Sequence, residues 1–186
     1  MNPIKNKKDL ETKINEIRDY AYSYLEKFSS SKQQLRIYLF KKLIKKNQKK
    51  HNKREILNLI DTVIFSLVDQ KLLSDKYYSD AKSIAFLKRG YSLNKIRYNL
   101  IKKGIDEKYI KASISKIKEN ESEPDFFSAI KICKKRRIGP NREESNRSLF
   151  YKKDISILAR SGFSYEISKR VLEIPREEFK KFCRMI

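Results

Sequence analysis

Apolar positions recur along this chain at spacings of three and four, the period of helices that each bury one face. Leu10, Ile14, Ile17, Ala21, Tyr24, Leu25 and Phe28 predict an amphipathic helix over residues 9 to 28. The run Ser29-Ser30-Ser31 ends it. Ser31 with Gln34 three residues on has the form of a capping box, in which each side chain satisfies a free N–H of the helix start. Leu35, Leu39 and Leu43, with Tyr38 beside them, stripe a second helix. Ile56, Ile60, Val63, Ile64, Leu67 and Val68 make a strongly apolar third that ends near Lys71, and Ser74 or Asp75 caps a fourth bearing Tyr77, Ala81, Ile84 and Ala85.

The stretch from Lys88 to Ile114 organises the rest of the chain, as two short helices joined by a tight turn. Ser92 is the predicted N-cap, Ile96 and Leu100 share a face, and Gly104 follows Lys102-Lys103. A glycine just past a helix end takes the left-handed conformation that turns the chain, and lysines suit the negative end of the helix dipole. Asp106 caps the next helix, whose apolar face is Ile110, Ile114 and Ile117. After a break at Asn120 to Pro124, Asp125 caps a helix bearing Phe126, Ile130 and Cys133, which runs into Lys134-Lys135-Arg136-Arg137. Gly139-Pro140 and the polar segment through Arg147 read as a loop. Ile155, Leu158 and Ala159 mark another helix, Arg160 to Ser164 a turn, and Ile167 and Val171 a last helix before Pro175, with the remainder either a short helix or a frayed tail. No segment alternates with a period of two for long enough to be a strand, so the expected fold class is all-α.

Lys103-Gly104-Ile105-Asp106 before Ile110 and Ile114 is echoed by Ser161-Gly162-Phe163-Ser164 before Ile167 and Val171. The pattern parses into an N-terminal tail (1–8), three-helix units over 9–73, 74–120 and 121–174, and a C-terminal tail or short helix (175–186). A repeated unit that needs its neighbours to cover its apolar face is the logic of a helical repeat protein.

Charge sharpens this picture. Lys+Arg of 45 against Asp+Glu of 23 gives +22 over 186 residues, which points to a polyanionic or acidic partner. Joint enrichment in Lys, Asn and Ile has a second explanation in biased nucleotide composition. From Lys32 to Arg54 there are ten basic residues and no acidic one. Lys42, Lys46, Lys49, Lys50, Lys53 and Arg54 fit phosphate binding through counterion release, and fit equally a solvated helix end with a Lys/Asn loop.

Catalytic constellations are lacking. The single histidine, His51, sits among lysines, and Cys133 and Cys183 have no metal-ligand pattern around them. The four glycines are unclustered, so no phosphate loop is present. The expectation is a binding protein without catalytic residue, metal or cofactor. No signal-peptide core and no apolar run of about 18 residues is visible, which predicts a cytoplasmic protein without membrane contact.

Four passages, in order and spacing, resemble the RecX family, bacterial regulators of the RecA recombinase: Tyr24-Leu25-Glu26-Lys27-Phe28-Ser29-Ser30-Ser31 with Leu35-Arg36; Leu72-Leu73-Ser74-Asp75-Lys76-Tyr77-Tyr78-Ser79-Asp80-Ala81; Arg89-Gly90-Tyr91-Ser92 with Ile96, Leu100 and Lys103-Gly104-Ile105; and Leu158-Ala159-Arg160-Ser161-Gly162-Phe163-Ser164-Tyr165-Glu166-Ile167. The resemblance covers most of residues 9 to 173. Ser74 stands where the family commonly has an acidic residue, and Ser161 where a second arginine often precedes the glycine. The resemblance implies an elongated, curved tandem array of three three-helix repeats. It also implies a monomer that binds along the groove of the RecA–single-stranded-DNA filament, limits its extension and damps ATP hydrolysis, strand exchange and co-protease activity. The candidate contacts to acidic filament surface or to phosphate of single- or double-stranded DNA are Lys88, Arg89, Lys95, Arg97, Lys102 and Lys103, then Lys134, Lys135, Arg136 and Arg137; a solvated charge is the competing reading for each. Tyr91 and Phe163 read as core anchors rather than base-stacking platforms. The alternative function is a sequence-tolerant DNA-binding helical protein, or a helix-turn-helix regulator, acting without RecA.

Overall fold

A computed structural model describes residues 3–46 and 53–186. Among these residues ten α-helices and one 3-10 turn form, and no strand does. Most of the lysine-rich stretch from Lys45 to Lys53, including Lys49, Lys50 and His51, lies outside the described residues.

Helix α1 spans Pro3–Leu25, α2 Lys32–Lys46 and α3 Lys53–Asp69. The first helix starts six residues before the predicted residue 9, at a proline whose missing N–H is no loss in a first turn. It stops at Leu25, and Phe28 lies exposed beyond it. The three helices pack on one another through Ile17, Ala21, Leu35, Leu39, Ile60 and Val63. The predicted Leu35–Leu39–Leu43 stripe is the buried one. Val68 lies outside the core, and Lys71 turns the chain in the left-handed region at φ 59°.

Helix α4 spans Asp75–Lys88, capped by Ser74, whose Oγ accepts from the Tyr77 amide at 3.4 Å. Its buried face is not the predicted one: Tyr77 is 71% and Ile84 50% exposed, while Ser79, Ser83 and Leu87 are buried. Polar partners explain the rotation. Ser79 Oγ lies 2.8 Å from Ser113 Oγ on α6 (Glu107–Asn120), Ser113 donates to Asp80 at 2.6 Å, and Lys116 closes on Asp80 at 2.6 Å. At this crossing α4 meets α6 through hydroxyls rather than through an apolar stripe. For the same reason Ser113, rather than Ile114, shares the buried face of α6 with Ile110 and Ile117.

Helix α5 spans Leu93–Lys102 and packs on α6, with Ile96 and Leu100 fully buried. Helix α7 (Pro124–Arg136) is followed by the 3-10 turn Gly139–Asn141, then α8 (Glu144–Arg160), α9 (Tyr165–Leu172) and α10 (Arg176–Met185). Their core includes Phe126, Ile130, Cys133, Leu158, Val171 and Phe179. The predicted loop through Arg147 ends early, because α8 begins at Glu144. What draws that segment in is Asp154, only 1% exposed. Its carboxylate takes both arms of the Arg142 guanidinium, at 2.7 and 2.8 Å, and the Gly139 amide at 2.8 Å. Arg147 then donates to the Leu172 and Ile174 carbonyls at the end of α9.

The chain divides into two units: residues up to Tyr78 with Lys103–Asp106, and Ser79–Lys102 with Glu107–Ile186.

Candidate functional site

Two glycine turns of the chain share one arrangement of caps. In the first unit Ser31 caps α2 by accepting from the Gln34 amide at 3.2 Å, while its hydroxyl donates to the Lys103 carbonyl at 2.6 Å. The next amide, Lys32, donates to Asp75 at 2.9 Å. Gln34 does not complete the predicted box, since its Oε1 accepts from the Tyr78 hydroxyl at 2.6 Å. In the second unit Ser92 caps α5 by accepting from the Lys95 amide at 3.1 Å and donates to the Ser161 carbonyl at 3.0 Å. The next amide, Leu93, donates to Asp125 at 2.7 Å.

Asp125 is therefore not the cap of its own helix, as the sequence suggested; it lies inside α7 and satisfies an orphan amide of α5. Burial pushes its carboxyl above the ordinary value, and the Leu93 amide pulls the other way. The glycines after the accepting carbonyls sit in the left-handed region, Gly104 at φ 72° and Gly162 at φ 90°. Each makes room for its partner: a methyl on Gly104 would stand 2.5 Å from Gln33 Cβ, and one on Gly162 2.5 Å from Ser92 Oγ.

These caps fix α5, which carries three of the candidate basic residues. Lys95, Tyr98 and Lys102 follow one another at helical spacing along one side of it, with Tyr91 just before its start. Lys95 Nζ stands 4.9 Å from the Tyr91 ring centre and Lys102 Nζ 4.4 Å from that of Tyr98, a ladder of cations over aromatic faces. Tyr91 stacks in turn on Phe86 at 5.1 Å with the rings parallel to within 2°. It is half-buried, while Phe163 is the core anchor expected. Tyr98, 56% exposed, is the member of this ladder that sequence reasoning passed over; its place between two lysines at helical spacing was the available signal.

The other candidates separate by position. Arg97 is spoken for by Glu107 at 3.0 Å. Lys88 and Arg89 are exposed at the end of α4, and Lys134, Lys135 and Arg136 fill the last turn of α7, with Arg137 just past it. Lys134 Nζ donates to the Cys183 carbonyl on α10 at 2.9 Å. Lys103 belongs to the first unit, where its carbonyl is held by Ser31. There too Lys42 lies 4.2 Å over the Tyr20 ring. Among the described residues no His, Cys, Asp and Glu group is placed to hold a metal ion. Burial pushes the Cys133 thiol up to about 12, far from the thiolate that reactivity needs. No helix of the described residues is long and apolar enough to cross a membrane.

No family model matches the chain. It is 29% identical over 161 residues to Regulatory protein RecX of Myxococcus xanthus, covering 84% of each protein. It is 30% identical over 120 residues to Regulatory protein RecX of Clostridioides difficile, 62% of this chain and 52% of that one. The RecX of Clostridium perfringens is 27% identical over 113 residues, so the match spans about half of either clostridial protein. The fold is similar to the crystal structure of RecX from Lactobacillus salivarius, with a TM-score of 0.60 over 90% of this chain and 97% of that one, at 19% identity. The chain is thus similar to RecX regulatory proteins in sequence and shares the fold of one of them.

Against the RecX pattern, the departure at Ser161 is harmless to the turn, because the group used there is a backbone carbonyl. Ser74, where an acidic residue is common, serves as the cap of α4.

Proposed function

We propose that this chain is a RecX-type regulator, which acts on a RecA recombinase by binding the RecA–single-stranded-DNA filament. On this reading it limits filament growth and damps ATP hydrolysis, strand exchange and co-protease activity in the cytoplasm, as a monomer. The observation that carries the reading is the likeness, across 84% of the chain, to a protein named for regulation. The array is read as three tandem three-helix repeats, and the recurrence of the Ser31–Asp75 cap at Ser92–Asp125 supports it. Lys88, Arg89, Lys95, Arg97, Lys102 and Lys103 are assigned to the partner-facing set, followed by Lys134, Lys135, Arg136 and Arg137. Acidic filament surface and DNA phosphate are both chemically suited to them.

Single-stranded-DNA-dependent ATP hydrolysis by the cognate RecA, with DNA in excess, tests the proposal. Inhibition well below one molecule per recombinase subunit is expected. Charge reversal at Arg89, Arg97 and Lys102 together should weaken it without loss of helicity. The net charge of +22 favours one other reading, a DNA-binding protein acting without recombinase. An effect abolished by added DNA would select that reading.

A further inference from the structure

In the second unit, α4, α6 and the start of α7 enclose a cleft of about 260 Å³. Leu87, Ile117 and Phe127 make it apolar, and the half-exposed Ile84 lines it as well. An open apolar recess is out of keeping with a chain that is 37% charged, and such recesses mark sites of interaction. Its volume falls short of the ~300–1,000 Å³ of sites that hold a cofactor or drug-sized ligand, so one large side chain is the better fit.

Polar groups around the cleft narrow the chemistry. Lys116 is already matched by Asp80 at 2.6 Å. Lys88 and Lys131 also line the cleft, and among the described residues neither has a carboxylate partner. They lie near one another: Gly90, two residues after Lys88, brings its α-carbon so close to Lys131 that an added methyl would be 3.1 Å from Lys131 Cβ. Ser128, also part of the lining, holds a buried hydroxyl without a hydrogen-bond partner. Glu121 is the remaining acidic residue of the lining, and its charge favours placing a ligand carboxylate on the Lys88–Lys131 side.

We propose that this cleft receives the apolar side chain of an acidic peptide segment, whose flanking carboxylates meet Lys88 and Lys131. The site needs neither nucleic acid nor recombinase, and so goes beyond the filament reading. A fluorescein-labelled peptide with one phenylalanine between paired glutamates is the probe, titrated with the full chain at near-physiological salt and followed by anisotropy. Saturable binding is expected, weakened about tenfold when the phenylalanine is replaced by serine, a change that leaves the protein untouched. Lys88→Glu with Lys131→Glu should weaken it about tenfold, whereas Lys152→Glu with Lys153→Glu, exposed on α8, should change it by less than about twofold. Ile84→Ser should weaken it as well, with circular dichroism and melting confirming that each variant folds. Equal affinity for the serine peptide, equal loss from the two lysine pairs, or no saturable binding overturns the proposal. The assay contains no DNA or RecA, so its failure leaves the filament reading where it stood.

Discussion

The first unit closes on a core of leucine, isoleucine and valine; the helices α7 to α10 of the second close on a core with a carboxylate beside it. In the first, Leu35, Leu39, Ile60 and Val63 meet at spacings that any helical plot displays. In the second, Asp154 is as buried as those leucines and ties Arg142 and Gly139 to α8. The difference teaches where specificity comes from. Apolar faces accept many neighbours of about the right size, whereas a buried carboxylate accepts only the arrangement that supplies its donors.

Asp154→Ala puts the comparison under most strain. It strands the buried Gly139 amide and unpairs the partly exposed Arg142 guanidinium, and should lower stability by about 4 kcal/mol in urea unfolding. Leu35→Ala in the first unit should lower it by about 3 kcal/mol, through lost transfer energy and a cavity. A smaller loss at Asp154 than at Leu35 would mean that the ion pair is an ornament on an apolar core. Gly162→Ala and Gly104→Ala compare the two glycine turns. Each forces a side chain to a left-handed φ and a 2.5 Å approach, and should remove about 2 kcal/mol, more at Gly162 because the clash falls on the cap itself. Ser31→Ala and Ser92→Ala should each remove about 1 kcal/mol, and equal losses would sharpen the case that the two caps are one device used twice.

The smallest effect is one of pH. In the folded chain the Asp125 carboxyl binds its proton more tightly than in the unfolded chain, where the ordinary value is 3.8. Its contribution to stability is therefore fully present below that value and declines as pH rises through the raised one. Asp125→Asn should flatten this part of the stability–pH curve, measured by thermal unfolding in acid.

The all-helical class, the Leu35 stripe, the Ser92 cap and the Gly104 turn were legible because each depends on residues within a turn or two of one another. The face of α4 was not. Tyr77, Ala81 and Ile84 have the apolar spacing, but Ser79 and Ser83 take the interior, Ser79 through a partner on α6 that no periodicity reveals. Asp125 was misassigned for the same reason: it stands where a cap should, and caps a helix 32 residues earlier. Arg142 read as loop and Asp154 drew no reading, since a buried ion pair leaves no trace in a hydrophobic pattern. The basic candidates were legible as charges and not as a site. Arg97 turned out to be paired, Lys95 and Lys102 lie over aromatic rings, and Lys103 falls in the other unit.

The start of α2 is completed by groups that the ribosome makes much later. Its Ser31 hydroxyl waits 72 residues for the Lys103 carbonyl, and its Lys32 amide 43 for Asp75. The start of α5 waits 69 for Ser161 and 32 for Asp125. During synthesis each of these helices emerges with its first turn unfinished and is locked from behind by later segments. A nascent chain arrested before Asp75 therefore holds α2 without two of the bonds that fix its start.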